Sequence, residues 1–170
     1  MAYRAPDGTL PLLAGVLQAM DFAHRDMRAI VHDLPADALV WKPGSEMGSL
    51  SGLVRHAMYC EIYALRRAAG EAAEYDEATN AALWETTDDA AALGACIDAA
   101  DAEMKRILPT MTVERMNARY TAWGQSAESL SGELIAEAVT HTTMHWGHMQ
   151  MTRQQWTQQH SAFTDTYEPW

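Results

Sequence analysis

The sequence predicts an all-α protein, a four-helix bundle with a long connection before the last helix. Four long stretches repeat apolar residues at spacings of three and four. Proline, glycine and capping residues punctuate the chain between them. Alternating apolar and polar runs bounded by hairpin turns are lacking. A chain of 170 residues suffices for one ordinary domain, 1–170, with its core at about 9–158 and a tail at 159–170. Four helices with inward-facing stripes in one such domain make a bundle.

The first helix is predicted from Thr9, a cap, to Asp33, with Pro11 in its first turn. Leu13, Val16, Leu17, Met20, Met27, Ile30 and Val31 form its stripe. Pro35 and Lys42-Pro43-Gly44 mark the loop that follows. The second helix starts at the cap Ser49 and carries Leu50, Leu53, Val54, Ala57, Cys60, Ala64 and Leu65 on one side, and Gly70 stops it. An acidic linker, Glu71 to about Glu85, leads to a third helix from Thr86 or Thr87 to Leu108. Asp88 and Asp89 in its first turn and Lys105 and Arg106 in its last suit the helix dipole, and Pro109 follows. The connection Thr110 to Glu128 contains Tyr120, Trp123 and Gly124 and is expected to hold a short helix or an irregular loop. The fourth helix runs from near Ser129 to about Gln158, and the tail from Ser161 to Trp170 is expected to be mobile or packed on a neighbour.

Hydrophobic residues make up 48% of the chain and charged residues 21%, the balance of a soluble globular protein. Twelve Lys and Arg against 23 Asp and Glu give a net charge of -11, which repels phosphate backbones and argues against nucleic acid as a partner. Ten carboxylates and no Lys or Arg lie between Glu71 and Glu103. They read as a solvated face, with an acidic docking surface as the sharper alternative. Cys60 and Cys96 are too few for a disulfide framework and read as reduced thiols in a cytoplasmic protein. The stretch from Leu10 to Met20 is too short and interrupted for a signal peptide, and no apolar window is long enough to span a membrane. Exposed edges of the apolar stripes make a two-fold homodimer the expected assembly.

The chemistry concentrates in the last helix. Leu134, Ala138, His141, His145, His148, Met149 and Thr152 follow one helical stripe. At about 100° per residue, His145 lies about 40° to one side of His141 and His148 about 20° to the other. His141 and His145 are about 6 Å apart along the axis, which lets two imidazoles converge on one ion. Burying three such rings unpaired is costly, and charged rings repel each other. A divalent metal resolves both problems, because it takes neutral imidazole nitrogen as ligand. A third ligand must come from another helix. His56, beside Leu53, Ala57 and Cys60, is the first candidate, and His24, four residues after Met20, is the next. His24 taken alone reads as a satisfied core histidine. The residue after His141 is Thr142, not the Glu of a zincin, and no paired Glu-x-x-His or CxxC motif occurs. Haem held by His and one of the eleven Met residues is unsupported; the Met residues read as core filler.

Two blocks carry a family resemblance. One is Trp41-Lys42-Pro43-Gly44 followed by Ser49-Leu50-Ser51-Gly52-Leu53-Val54-Arg55-His56. The other is His141-Thr142-Thr143-Met144-His145-Trp146-Gly147-His148-Met149. In order and spacing, over about Thr9 to Gln158, they resemble the DinB-like superfamily of small metal-binding bundles, which includes the YfiT-type proteins. The block ending at His56 is similar to that family's proline-containing loop and the helix bearing a His after its first turns. The block that begins at His141 is similar to its pattern of His, three residues, His, a variable residue, Gly and commonly Gln. By this resemblance the metal ligands fall on His56, His141 and His145. His148 stands where Gln is common, as a hydrogen-bond donor behind a ligand, a substitute ligand or a proton carrier. Trp146 stands where Arg is usual, which replaces a polar contact with a more apolar rim.

Three histidine ligands leave coordination positions open, and the ion is expected to be Zn or Ni, with Fe, Mn or Co also compatible. Members of the superfamily include metal-dependent transferases that use bacillithiol or mycothiol, and isomerases of maleylpyruvate that use a thiol. The resemblance therefore implies a thiol S-transferase that activates bacillithiol, mycothiol or glutathione for attack on a small electrophile. The alternative is a metal-dependent hydrolase in which His148 or Glu137 handles protons. A third reading is non-enzymatic: a structural metal or a stress-related binding module. Trp123, Tyr120 and Trp146 are candidates for the mouth of a pocket that binds the cofactor, and Arg115 and Arg119 for contacts to an anion. Ordinary packing and surface charge are the first readings of them. Cys60, one turn after His56, reads as a buried hydrophobe before a fourth ligand.

Overall fold

Each long helix begins and ends where local chemistry requires it. The computed structural model describes residues 3–124 and 126–168. Helix α1 (Pro11–His32) opens on the proline, whose missing N–H costs nothing in the first turn. The short α2 (Ala36–Val40) turns the chain toward α3 (Leu50–Ala68). The Ser49 hydroxyl caps α3 by accepting the Gly52 N–H at 3.1 Å. Gly70 closes that helix in the left-handed region, φ 75°, where a side chain would also strike the Tyr120 hydroxyl. Helix α5 (Ala90–Ile107) is capped by Asp89 and carries Lys105 and Arg106 in its last turn. Helix α7 (Ser131–Gln159) begins with the Leu130 N–H donated to the Glu133 carboxylate at 2.7 Å.

The connections hold more structure than their composition suggests. The acidic linker contains α4 (Glu77–Leu83), whose first amides at Ala78 and Thr79 are capped by the Asp76 carboxylate. Asp88 precedes the Asp89 cap and makes a two-pronged ion pair with Arg55 at 2.7 and 2.8 Å, so it is not in the first turn of α5. After a 3-10 turn (Leu108–Thr110), the long connection holds both α6 (Val113–Met116) and an antiparallel hairpin. Strand β1 (Arg119–Thr121) pairs with β2 (Glu128–Leu130), with Tyr120 opposite Ser129. Strands of three residues are too short to show alternation in sequence. As far as residue 168 the tail folds back on its own bundle. Phe163 meets the Trp156 ring edge-on, and the Tyr167 hydroxyl donates to Asp26 at 2.8 Å.

The core has two apolar halves. One gathers the second half of α1, the first halves of α3 and α5, and the end of α7. The other gathers the opposite ends of the same four helices. Helices α1 and α7 therefore run one way and α3 and α5 the other, with residues 71–89 as the crossover. Helix α3 packs most extensively against α7.

A buried polar layer lies at the seam. His24 sits between Met20 and Met27 of the two halves, with Glu61 on α3, Asp101 on α5 and Thr142 on α7 around it. His24 Nε2 faces Glu61 Oε2 at 3.1 Å and its Nδ1 faces Asp101 Oδ1 at 3.4 Å. Burial disfavours charge on this ring, but the two carboxylates more than offset it, and its pKa rises to about 9. Asp101 in turn is lowered to about 2: its burial works the other way and is outweighed by hydrogen bonds from His24 and Lys105.

A histidine raised in the folded state adds stability that is complete below its ordinary pKa of 6.5 and is lost as pH climbs through 9. At about 1.4 kcal/mol per unit, this amounts to about 3 kcal/mol. Melting temperatures of the wild type should fall across that interval. Those of His24→Gln should start lower and stay flat, and parallel curves for the two proteins would refute the assignment.

Candidate metal centre

Helices α3 and α7 bring three imidazoles to one point. His56 Nε2 lies 3.0 Å from His141 Nε2, and His145 Nε2 lies 3.1 Å from the same atom. Among the described residues these three form the group of side chains whose ligating atoms all lie within 4.8 Å of one another. Nitrogens bound to one ion at about 2.1 Å are about 3 to 3.5 Å apart, so the observed edges fit a shared divalent cation.

Burial lowers the pKa of all three rings. His56 is lowered by desolvation against a hydrogen bond that its ring donates to Asn80. His141 falls to about 4 by burial and then by repulsion from His56, with Glu61 opposing. His145 falls to about 3 by burial and then by the other histidines. Neutral rings whose Nε2 atoms converge on one point are what a cation needs.

The third helix of the site comes from the crossover. Asn80 on α4 places its Oδ1 2.7 Å from His56 Nδ1, and its Nδ2 donates to the Tyr75 hydroxyl at 2.9 Å. The amide oxygen can only accept, so the His56 proton sits on Nδ1 and the lone pair on Nε2 faces the cluster. Trp84 lies over the His56 ring with centroids 4.3 Å apart. That approach requires Gly52, where a Cβ would meet the Trp84 carbonyl oxygen at 2.6 Å.

The other candidates fall on either side. His148 is exposed, with its ring 5.5 Å from that of His145. The buried face of α7 is centred on Ala138, Thr142, Met149 and Trp156, about 70° round the helix from His141. His141 therefore lies at the edge of that face, half-buried, and His148 lies beyond it.

A cavity of about 840 Å³ opens against His141, lined also by Trp123, Glu137 and Met144. There the exposed Glu137 accepts the Trp123 indole N–H at 3.0 Å. A second cavity of about 290 Å³ opens against His145 and His148, beside Trp84 and Met47. Trp146 lines neither; its indole donates to Asp26 at 2.7 Å and its ring packs edge-on against Phe22 of α1. Arg115 and Arg119 are exposed and line neither cavity. Cys60 Sγ lies 3.9 Å from His56 Nδ1, the nitrogen turned away from the cluster, and burial pushes its thiol up to about 12. His24 belongs to the polar layer behind the cluster.

Asn80, Trp84, Glu61 and Thr142 are the contributors that sequence reasoning missed. Glu61 left a signal, a carboxylate four residues after Ala57 and four before Leu65 in an apolar stripe. Asn80 and Trp84 left none, since the contact depends on how the crossover folds.

A family model described as the DinB superfamily matches residues 19–149. Comparison with curated proteins gives no match. Two solved structures share the fold. A conserved protein from Enterococcus faecalis is 13% identical, with a TM-score of 0.67 over 81% of this chain and 92% of its own. A DinB-like protein from Bacillus subtilis is 16% identical, with a TM-score of 0.64 over 92% of this chain and 96% of its own.

Proposed function

This chain belongs to the DinB superfamily, and from that premise we propose that it is a divalent-metal-dependent thiol S-transferase. The observation that carries the reading is the convergence of His56, His141 and His145 between two cavities that border it. Three protein ligands leave room for a guest beside them. A divalent ion, Zn or Ni first, supplies Lewis acidity that lowers the pKa of a coordinated thiol. Asn80 holds the His56 ring in its ligating tautomer. Trp123, Glu137 and Met144 border the larger cavity, which suits the bulkier of two reactants. His148 borders the smaller cavity, exposed and next to His145, where it can accept the thiol proton or pass it to water. The thiolate sulfur then forms a new bond to the electrophilic carbon, and the leaving group departs with its electron pair.

The test incubates metal-loaded protein with bacillithiol, mycothiol or glutathione and a chromogenic aryl halide. The expected result is a thiol-dependent rate that disappears in His145→Ala. Turnover of an ester or amide panel without thiol would replace this reading with hydrolysis. Retention of metal with no turnover of either kind would leave a binding module.

A further inference from the structure

Behind the cluster lies a carboxylate with one oxygen unused. Glu61 is 1% exposed. Its Oε2 accepts from the Thr142 hydroxyl at 2.9 Å and faces His24 Nε2 at 3.1 Å. Its Oε1 has no hydrogen-bond partner, and among the described residues two other buried side-chain atoms share that condition: His141 Nδ1 and His145 Nδ1. A buried acceptor and two buried ring nitrogens without partners call for an explanation. The cavity beside Glu61 holds about 10 Å³ and its other lining residues are all apolar, so a water there would lack further polar partners.

An imidazole that binds an ion through Nε2 carries its proton on Nδ1, and that proton needs an acceptor. His56 has Asn80 for this purpose. Thr142 directly follows His141 and ties Glu61 to α7 at that point. Both nitrogens of His24 face carboxylates, so a doubly protonated ring donates to Glu61 on one side and to Asp101 on the other.

We propose that Glu61 is a positioning residue for His141: in the metal-loaded protein its free oxygen accepts the His141 Nδ1–H and fixes the tautomer that turns Nε2 to the ion. His24 and Asp101 form the buried support that holds the carboxylate in place. The inference rests on the reading that the three histidines hold a divalent ion, and it is independent of what reaction, if any, follows.

The test compares wild type, Glu61→Gln and Thr142→Val for zinc affinity by competition with a chromogenic chelator. Nitrogen-15 imidazole spectra of the zinc-loaded proteins accompany it. Loss of an acceptor behind a metal ligand costs about 10- to 100-fold in affinity, which is the drop expected for Glu61→Gln. A smaller drop is expected for Thr142→Val. The His141 Nδ1–H signal should shift in both variants, while that of His56, bonded to Asn80, should not. A purely structural Glu61 would change melting temperature and leave that selective shift absent. Affinities within about twofold of wild type, with an unmoved His141 signal, would overturn the proposal. If Glu61→Gln does not fold, Thr142→Val decides, since it removes only one hydroxyl. A wild type that takes up no zinc overturns the three-histidine reading and this inference together, whereas variants that bind like wild type overturn this inference alone.

Discussion

His141→Ala is expected to abolish metal uptake while leaving the fold intact. Both close contacts of the cluster run through its Nε2, at 3.0 Å to His56 and 3.1 Å to His145. Without it, two nitrogens on different helices remain and no third donor lies within reach among the described residues. The side chain is half-buried at the edge of the core face, so truncation opens no large internal void. Removing it also relieves repulsion on His145, whose pKa is lowered partly by His141. The apo variant should therefore melt close to the apo wild type. Metal at a thousand times its dissociation constant adds about 4 kcal/mol to a protein that binds it only when folded. For a chain of this size that is roughly 8 to 16 °C of melting temperature, present in wild type and missing in the variant. Elemental analysis of untagged protein and melting curves with and without chelator measure both quantities. His148→Ala is the control, because that exposed ring lies outside the cluster and should leave uptake unchanged. Metal retention in His141→Ala would remove the basis of the site.

The parts of this molecule legible in sequence are those set by local chemistry. Ser49, Gly70 and Pro11 mark helix ends because caps, left-handed glycine and N-terminal proline act within a few residues. His141 and His145 were legible because spacing on one helix limits where rings can point, while His56 on α3 was singled out from His24 by the family resemblance. What failed to show depends on long-range packing. The stripe on α7 reads as one inward face that takes in His141 and His148, yet the buried face is centred about 70° round the helix from His141. That offset moves His148 from the core face to solvent and leaves His141 at a rim where a guest can approach. The acidic linker looks like a solvated face, and much of it is, but Asn80 and Trp84 within it turn toward His56. Charge and polarity averaged over the segment hide the two side chains that matter. The tail showed no pattern because its anchors, Asp26 on α1 and Arg153 on α7, are met only once the chain has folded back on the bundle.

Arg153→Ala is expected to cost a large part of the stability of the fold. Its side chain is fully buried near the end of α7. Nη1 donates to the Ile30 carbonyl and to Asp33, both at 2.7 Å, and Nε donates to Asp165 at 3.1 Å. The guanidinium also lies over the Tyr167 ring, 5.0 Å from its centroid. One residue thus joins α1, α7 and the tail. Truncation leaves a buried carbonyl unpaired, two carboxylates without their cation, and a cavity. Breaking a buried ion pair from one side costs about 3 to 5 kcal/mol, and the partial exposure of Asp33 and Asp165 places this case near the lower end. A loss of about 3 kcal/mol corresponds to roughly 6 to 12 °C in melting temperature. Arg153→Met separates packing from charge, since it restores much of the volume without the donors. The acid limb gives an independent check. A hydrogen bond from Arg153 holds the Asp33 carboxyl below its ordinary 3.8. A depressed carboxylate stabilises the fold above that value, and the contribution is lost as pH falls through the folded pKa. The acid limb of the stability curve should therefore be shallower in Arg153→Ala than in wild type. Because Arg153 shares no partner with His56, His141 or His145, its cost should be the same with and without bound metal. A cost that changed with metal would mean that the tail and the candidate metal centre are coupled through α7.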